Sequence, residues 1–109
     1  MPTSPLPDAI AAYFAAQNRH DTEATLAAFT DDAVVTDEGA EHSGRDAIRA
    51  WIEDTTKKYA ATMDPQDVIQ TGDATDVSVV ITGTFPGSPL ELDFFFTLED
   101  GKIAALATG

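Results

Sequence analysis

Cysteine is absent from the 109-residue chain. Disulfides, thiolate nucleophiles and cysteine-ligated zinc are therefore excluded, and the lack fits an expected cytoplasmic location. Histidine is almost absent as well. His20 and His42 stand far apart with no HxH or HxxxH spacing, so no metal site is expected. No glycine-rich phosphate loop occurs, and a chain of this length leaves no room for a separate cofactor domain; no cofactor is expected. Bases are scarce: 6 lysines and arginines face 19 acids, for a net charge of −13. Such a surface repels nucleic acid and anionic membranes, so neither is an expected partner. The acids are spread along the chain, as on a solvated surface and not an acidic tail. No apolar run approaches the roughly 18 residues of a membrane span. The opening "MPTSPLP" lacks the basic and apolar regions of a secretory signal. Its alternating prolines suggest a flexible lead-in over 1–7, with one domain over 8–109.

What is present is periodicity. Ile10, Tyr13, Phe14 and Gln17 recur at helical spacing among alanines, after an Asp8 that can cap the first turn. Asn18 to Asp21 breaks that helix. Asp21 or Thr22 can cap a second one, with Leu26 and Phe29 as its apolar stripe, and "TDD" at Thr30 to Asp32 ends it. Ala33 to Thr36 reads as a short strand, and Glu41-His42 as a brief return across a turn. Ser43 is the expected N-cap of a third helix, with Asp46 three residues on. Ala47, Ile48, Trp51, Ile52 and Thr55 then share one face, and the helix runs from about Arg45 to Tyr59. Four β-rich pieces follow, separated by turn signals at Gly72-Asp73, Pro86-Gly87 and Asp100-Gly101. They predict an antiparallel meander. Helices segregated from strands mean α+β, with three helices over the concave face of a curved antiparallel sheet and a pocket between.

Several phrases carry a resemblance. They are "YFAAQNRHD" in the first helix, "LAAFTDDAVV" entering the first strand, "SGRDAIRAWI" opening the third helix, and "LEDGKIAAL" at the last hairpin. Together they resemble the NTF2-like superfamily, in its SnoaL-like and ketosteroid-isomerase-like branch. The resemblance implies a cystatin-like cone and a homodimer joined through the sheet face. It also implies a small apolar ligand, but one fold here serves isomerases, cyclases, hydrolases and proteins without catalysis. In ketosteroid isomerase an aspartate is the base, while a tyrosine and a protonated aspartate hold the oxyanion. The resemblance puts Tyr13 in the tyrosine's place, before Ala15, Ala16, Asn18 and Asp21. It puts Asp37 in the base's place, after Phe29, Asp31, Asp32 and Ala33. The second acid has no clean counterpart. Leu90, Leu92, Phe94, Phe96 and Leu98 form one face of their strand and Glu91, Asp93, Phe95 and Thr97 the other, so Phe94 is expected inward and Asp93 outward.

Asp37 has two readings: a solvated carboxylate of the turn "TDEG", or a base on the wall of an apolar pocket. Strand alternation links it to Val35, so if Val35 is inward, Asp37 is too. Tyr13 is either a core tyrosine or a donor to a ligand oxygen. His42, across the turn, can pair with Asp37 or stand exposed; His20 is expected on the surface. Phe14, Trp51, Tyr59 and Phe94 are the candidate ligand-binding walls, and Arg45 and Arg49 are expected to face solvent beside acids. Two functions fit. One is a small-molecule-binding SnoaL-like protein doing acid–base chemistry on a small apolar carbonyl-type ligand, as an isomerase, cyclase or hydrolase. The other is a non-catalytic NTF2-like module for binding or dimerisation, with exposed Phe95 at its interface.

Overall fold

The structure is a computed structural model that describes residues 6–37, 39–59, 61–84 and 86–108. Most of the expected lead-in over 1–7 lies outside the described residues. The elements are α1 (Asp8–Asn18), α2 (Thr22–Ala27), β1 (Phe29–Asp37), β2 (Ala40–Ser43), α3 (Arg45–Tyr59), β3 (Thr62–Thr71), β4 (Ala74–Thr82), β5 (Leu90–Glu99) and β6 (Lys102–Thr108). The α+β class is as expected: three helices lie on one face of a single six-stranded sheet, in the order β2-β1-β6-β5-β4-β3.

One pairing departs from the expected antiparallel sheet. β1 and β6 run parallel, which makes the sheet mixed. The meander brings the last strand back beside the first, and such a long-range pairing leaves no local trace in the sequence. β1 is also longer than predicted. Helix α2 stops at Ala27, and Phe29 opens the strand instead of closing the helix. Ile103 N donates to Ala28 O at 2.9 Å, so the β6 backbone takes over where the helix ends.

The local devices follow from residue chemistry. Asp21 caps α2, its Oδ1 accepting from Ala24 N at 3.1 Å. Ser43 lies in β2 and does not cap α3. Gly44 does so, its carbonyl accepting from Ile48 N at 3.0 Å, with a φ of +86° that glycine adopts without steric cost. Pro7 stands before α1 with no side-chain cap, and Asp8 sits in the first turn. Asp100 and Gly101, both at positive φ, make the two-residue β5–β6 turn, as the Asp-Gly signal predicts. Pro65, which lacks a donor, falls at a register shift on edge strand β3.

The core lies between sheet and helices. Ile10, Tyr13 and Phe14 of α1, Leu26 of α2, and Ile48, Trp51 and Ile52 of α3 are buried against Val77, Val79, Phe94, Phe96, Ile103 and Leu106. Arg49 faces outward and grips Glu23 with two bonds of 3.0 Å, tying α3 to α2 at the surface. On the opposite sheet face two large apolar side chains, Phe95 and Ile69, are exposed. Asp76, cross-strand from both, has an enclosed Oδ1 with no hydrogen-bond partner.

Burial, and then the nearby Asp93 charge, raise the Asp76 pKa above its ordinary value. A carboxyl raised in this way destabilises the fold while ionised. That cost is fully present at neutral pH and fades as pH falls through the raised value. Asp76→Asn is therefore expected to raise the thermal midpoint at pH 7 by a few degrees, with the gain shrinking toward pH 4; equal midpoints at pH 7 would contradict this.

Candidate functional site

Asp37 ends β1, and Val35 two residues earlier is fully buried, so alternation turns both toward the helices. The carboxylate is gripped from two directions. Trp51 Nε1 on α3 donates to Oδ2 at 2.9 Å, and Thr108 Oγ1 on β6 donates to Oδ1 at 2.5 Å. Each oxygen keeps a further lone pair for another donor. Three elements far apart in sequence thus fix one half-buried acid.

That acid forms part of the wall of a cavity of about 150 Å³ between α1, α3 and the sheet. The apolar side is built by Met63, Ile81, Leu90, Leu92 and Phe94, with Trp51 as an aromatic panel. The polar side has Gln17 and His20 from α1 and its following turn, Thr55 and Thr56 from α3, and Thr108 from β6. Among the described residues of the wall, Asp37 is the one carboxylate, His20 the one imidazole, and no lysine or arginine is present. No group of metal-binding side chains occurs among the described residues, and no helix is long and apolar enough to cross a membrane.

A family model for the SnoaL-like domain matches residues 10–106. The chain belongs to the SnoaL-like domain family. A Sinorhizobium meliloti protein, crystallised as a "putative polyketide cyclase", is similar at 40% identity over 95% of each chain, with a TM-score of 0.92. A hypothetical protein from Catenulispora acidiphila with a ketosteroid isomerase-like fold, solved in complex with trimethylamine, matches at 20% identity and a TM-score of 0.85. That match covers 96% of this chain and 86% of the other. An NTF2-like protein of unknown function from Cytophaga hutchinsonii matches at 15% identity and a TM-score of 0.78, over 100% of this chain and 93% of the other. The last two likenesses speak for the fold alone. No curated protein matches the chain.

The cavity of this SnoaL-like domain gathers only some of the candidate residues. Asp37, Trp51 and Phe94 line it. Phe94 is buried while Asp93 lies on the other sheet face, where it accepts from Ser78 Oγ at 3.1 Å. Tyr13 is not in the wall. It is fully buried, with edge-on aromatic contacts to Phe14, Phe29 and Phe96 at centroid distances of 5.1, 5.8 and 5.7 Å. Burial pushes its hydroxyl well above the usual tyrosine range. The Gln17 hydrogen bond opposes that shift and the Asp37 charge adds to it, so the phenol stays protonated. Phe14 stands one layer back, its ring 5.8 Å from that of Phe94. The side chain of Tyr59 lies outside the described residues. His42 makes no bond to Asp37, whose partners are Trp51 and Thr108. Its ring lies 6.1 Å from the Trp51 ring, in a second hollow that Asp37 also lines, with Ala40, Ala50 and Asp54.

Sequence reasoning missed Gln17, His20 and Thr108. Gln17 had a usable signal, since it falls on the buried stripe of α1, a costly place for an amide without a purpose. His20 had none. It sits in the turn after α1 at φ +55°, and its Nε2–H donates to Ala61 O at 3.0 Å, which brings the exposed ring to the cavity rim. Thr108 depends on the parallel β1–β6 pairing.

Thr108→Val keeps the side-chain shape but removes one donor from Asp37. We expect a loss of about 1–2 kcal/mol in urea unfolding, the usual range for a bond to a charged acceptor in a half-buried site. An unchanged midpoint would show that the bond is not formed.

Proposed function

We propose that this SnoaL-like domain binds a small, mostly apolar carbonyl compound and moves a proton on it with Asp37 as general base. The observation that carries the reading is the Asp37 carboxylate, held by Trp51 and Thr108 in the wall of a mostly apolar cavity. Asp37 accepts a proton from carbon next to the carbonyl. The carboxyl is then neutral, the electron pair spreads onto the ligand oxygen as an enolate, and the proton returns to the same or a neighbouring carbon. With return to another carbon the outcome is isomerisation. With attack of the enolate carbon on a second carbonyl of the same ligand, whose oxygen then takes the proton back from Asp37, the outcome is ring closure. The relative crystallised as a "putative polyketide cyclase" supports the second outcome as the chemistry to test. No step requires a cofactor.

The rival reading is a binding module without turnover. It is favoured by the sealed position of Tyr13 and by Phe94 standing inward in place of a second acid. One experiment separates the two: deuterium exchange at the α-carbons of a panel of small enolisable ketones, followed by NMR. Catalysed exchange is expected with the natural protein and a fall of about 100-fold or more with Asp37→Asn, the usual worth of a positioned acid–base group. Equal exchange by both proteins would remove Asp37 from the mechanism, and no exchange by either would favour the binding module.

We further propose that the outer sheet face is where two copies meet, with Phe95 and Ile69 as its apolar contacts. Asp67, Asp76, Glu91 and Asp93 lie on strands of the same face, so two copies bring like charges together. Self-association should therefore strengthen as pH falls through the raised pKa of Asp76 and that charge is lost. Light scattering between pH 7 and pH 4 checks this. A growing dimer fraction that Phe95→Glu abolishes is expected, and a monomer at both values would refute it.

A further inference from the structure

Gln17 is the buried polar side chain of the cavity wall without a complete set of partners. It is 6% exposed, and its bonding consists of one long contact, Nε2–H to the Tyr13 hydroxyl at 3.5 Å. An amide has two N–H donors and a carbonyl acceptor. Its second N–H and its Oε1 therefore have no protein partner. Among the described residues, the enclosed side-chain oxygen or nitrogen with neither partner nor exposure is Asp76 Oδ1, on the far side of the sheet. The unpartnered Gln17 amide is therefore not sealed, and with one N–H given to Tyr13 its second N–H is left to donate to a ligand in the cavity that the residue lines. A buried amide costs about 1–3 kcal/mol when left unbonded, and a ligand group in the cavity would offset that. Tyr13 cannot reach a ligand itself. Its hydroxyl, kept protonated by burial, is instead the support that orients Gln17.

Two more observations bound the ligand. The cavity of about 150 Å³ has the size at which an apolar protein cavity accepts a molecule such as benzene. The wall's single carboxylate and its lack of lysine and arginine make an anionic ligand costly there, because nothing compensates its lost hydration. His20 does not change this, since it is exposed at the rim and its Nε2–H is already given to Ala61 O.

We propose that the second N–H of the Gln17 amide donates to an oxygen of the bound molecule, and that this molecule carries no negative charge and is about the size of a single six-membered ring. This rests on the small-ligand reading above and deepens it. Gln17 takes the donor role that the resemblance assigned to Tyr13, one helical turn along α1. Asp37 and Gln17 then address one ligand from two sides of the cavity.

Trp51 is the chain's sole tryptophan, so its fluorescence reports the site directly. The probes are cyclohexanone, cyclohexanecarboxylate and the fused bicycle 2-decalone. The first two have one ring and differ in charge. Saturable binding of cyclohexanone is expected. The carboxylate should bind at least about tenfold more weakly, and the bicycle more weakly than the ketone. Gln17→Met, which preserves side-chain length and packing, should weaken the ketone about five- to tenfold, the worth of one hydrogen bond in such a site. The carbonyl carbon of 13C-labelled cyclohexanone on the natural protein gives a readout independent of any variant: a downfield shift on binding is expected. Equal affinity of Gln17→Met and natural protein, an unshifted carbonyl carbon, or a carboxylate or bicycle that binds more tightly than the ketone would each overturn the assignment. The failures are distinguishable. No probe binding to the natural protein removes the small-ligand reading as a whole. Ketone binding that depends on Gln17, without α-proton exchange, removes only the base role of Asp37.

Discussion

The clamp on Asp37 is the constraint on which the site depends. Trp51 reaches it from α3 and Thr108 from β6, while the strand that carries it belongs to neither. A carboxylate at the end of a strand would ordinarily turn to water. Here two donors hold it in place, and the packing that brings those donors together is the packing of the whole domain. The parallel β1–β6 pairing sets Thr36 beside Ala107, which brings Thr108 to the level of Asp37. The α3 face that buries Ile48 and Ile52 also turns the Trp51 indole inward. The clamp fails if either of these fails, and so the geometry of the site reports on the fold.

Behind the cavity lies a layer of aromatic rings. Tyr13, Phe14, Phe29, Phe94 and Phe96 meet mostly edge to face, an arrangement that adds to their burial and leaves little room for movement. Phe94 is where this layer reaches the cavity. The rings make a firm back wall, and they also account for the fate of Tyr13. A tyrosine enclosed by three neighbouring rings serves packing first, and its hydroxyl acts through Gln17. The Gln17 amide therefore stands in the cavity wall in front of it. On the opposite rim, Asn18 exchanges two bonds with the Met63 backbone at 2.9 and 2.7 Å, and His20 holds Ala61, so the turn after α1 fastens the start of β3 to the cavity mouth.

Much of this was legible in the residues. The order of elements, the bounds of α3, the Asp-Gly hairpin and the inward placing of Phe94 all follow from local pattern, because alternation and helical spacing are properties of neighbours in the chain. Asp37 was legible through Val35 for the same reason. Tyr13 stayed open between a core tyrosine and a ligand donor because helical periodicity gives the buried face of a helix and not how deep a residue sits along it. The early start of β1 was hidden by its polar "TDD", a stretch that becomes strand through a distant partner. His42 shares the inner face with Val35, its partner in the register, but the Trp51 ring leaves it in the neighbouring hollow, a matter of side-chain volume that spacing does not encode.

The most direct measurement of the central claim is a high-resolution crystal structure of the protein grown with cyclohexanone. The account predicts the ring among Ile81, Leu92 and Phe94, its oxygen on the Gln17 amide, and Asp37 still bonded to Trp51 and Thr108. An Asp37 carboxylate turned into solvent, or a cavity closed by its own side chains with no ligand inside, would contradict it.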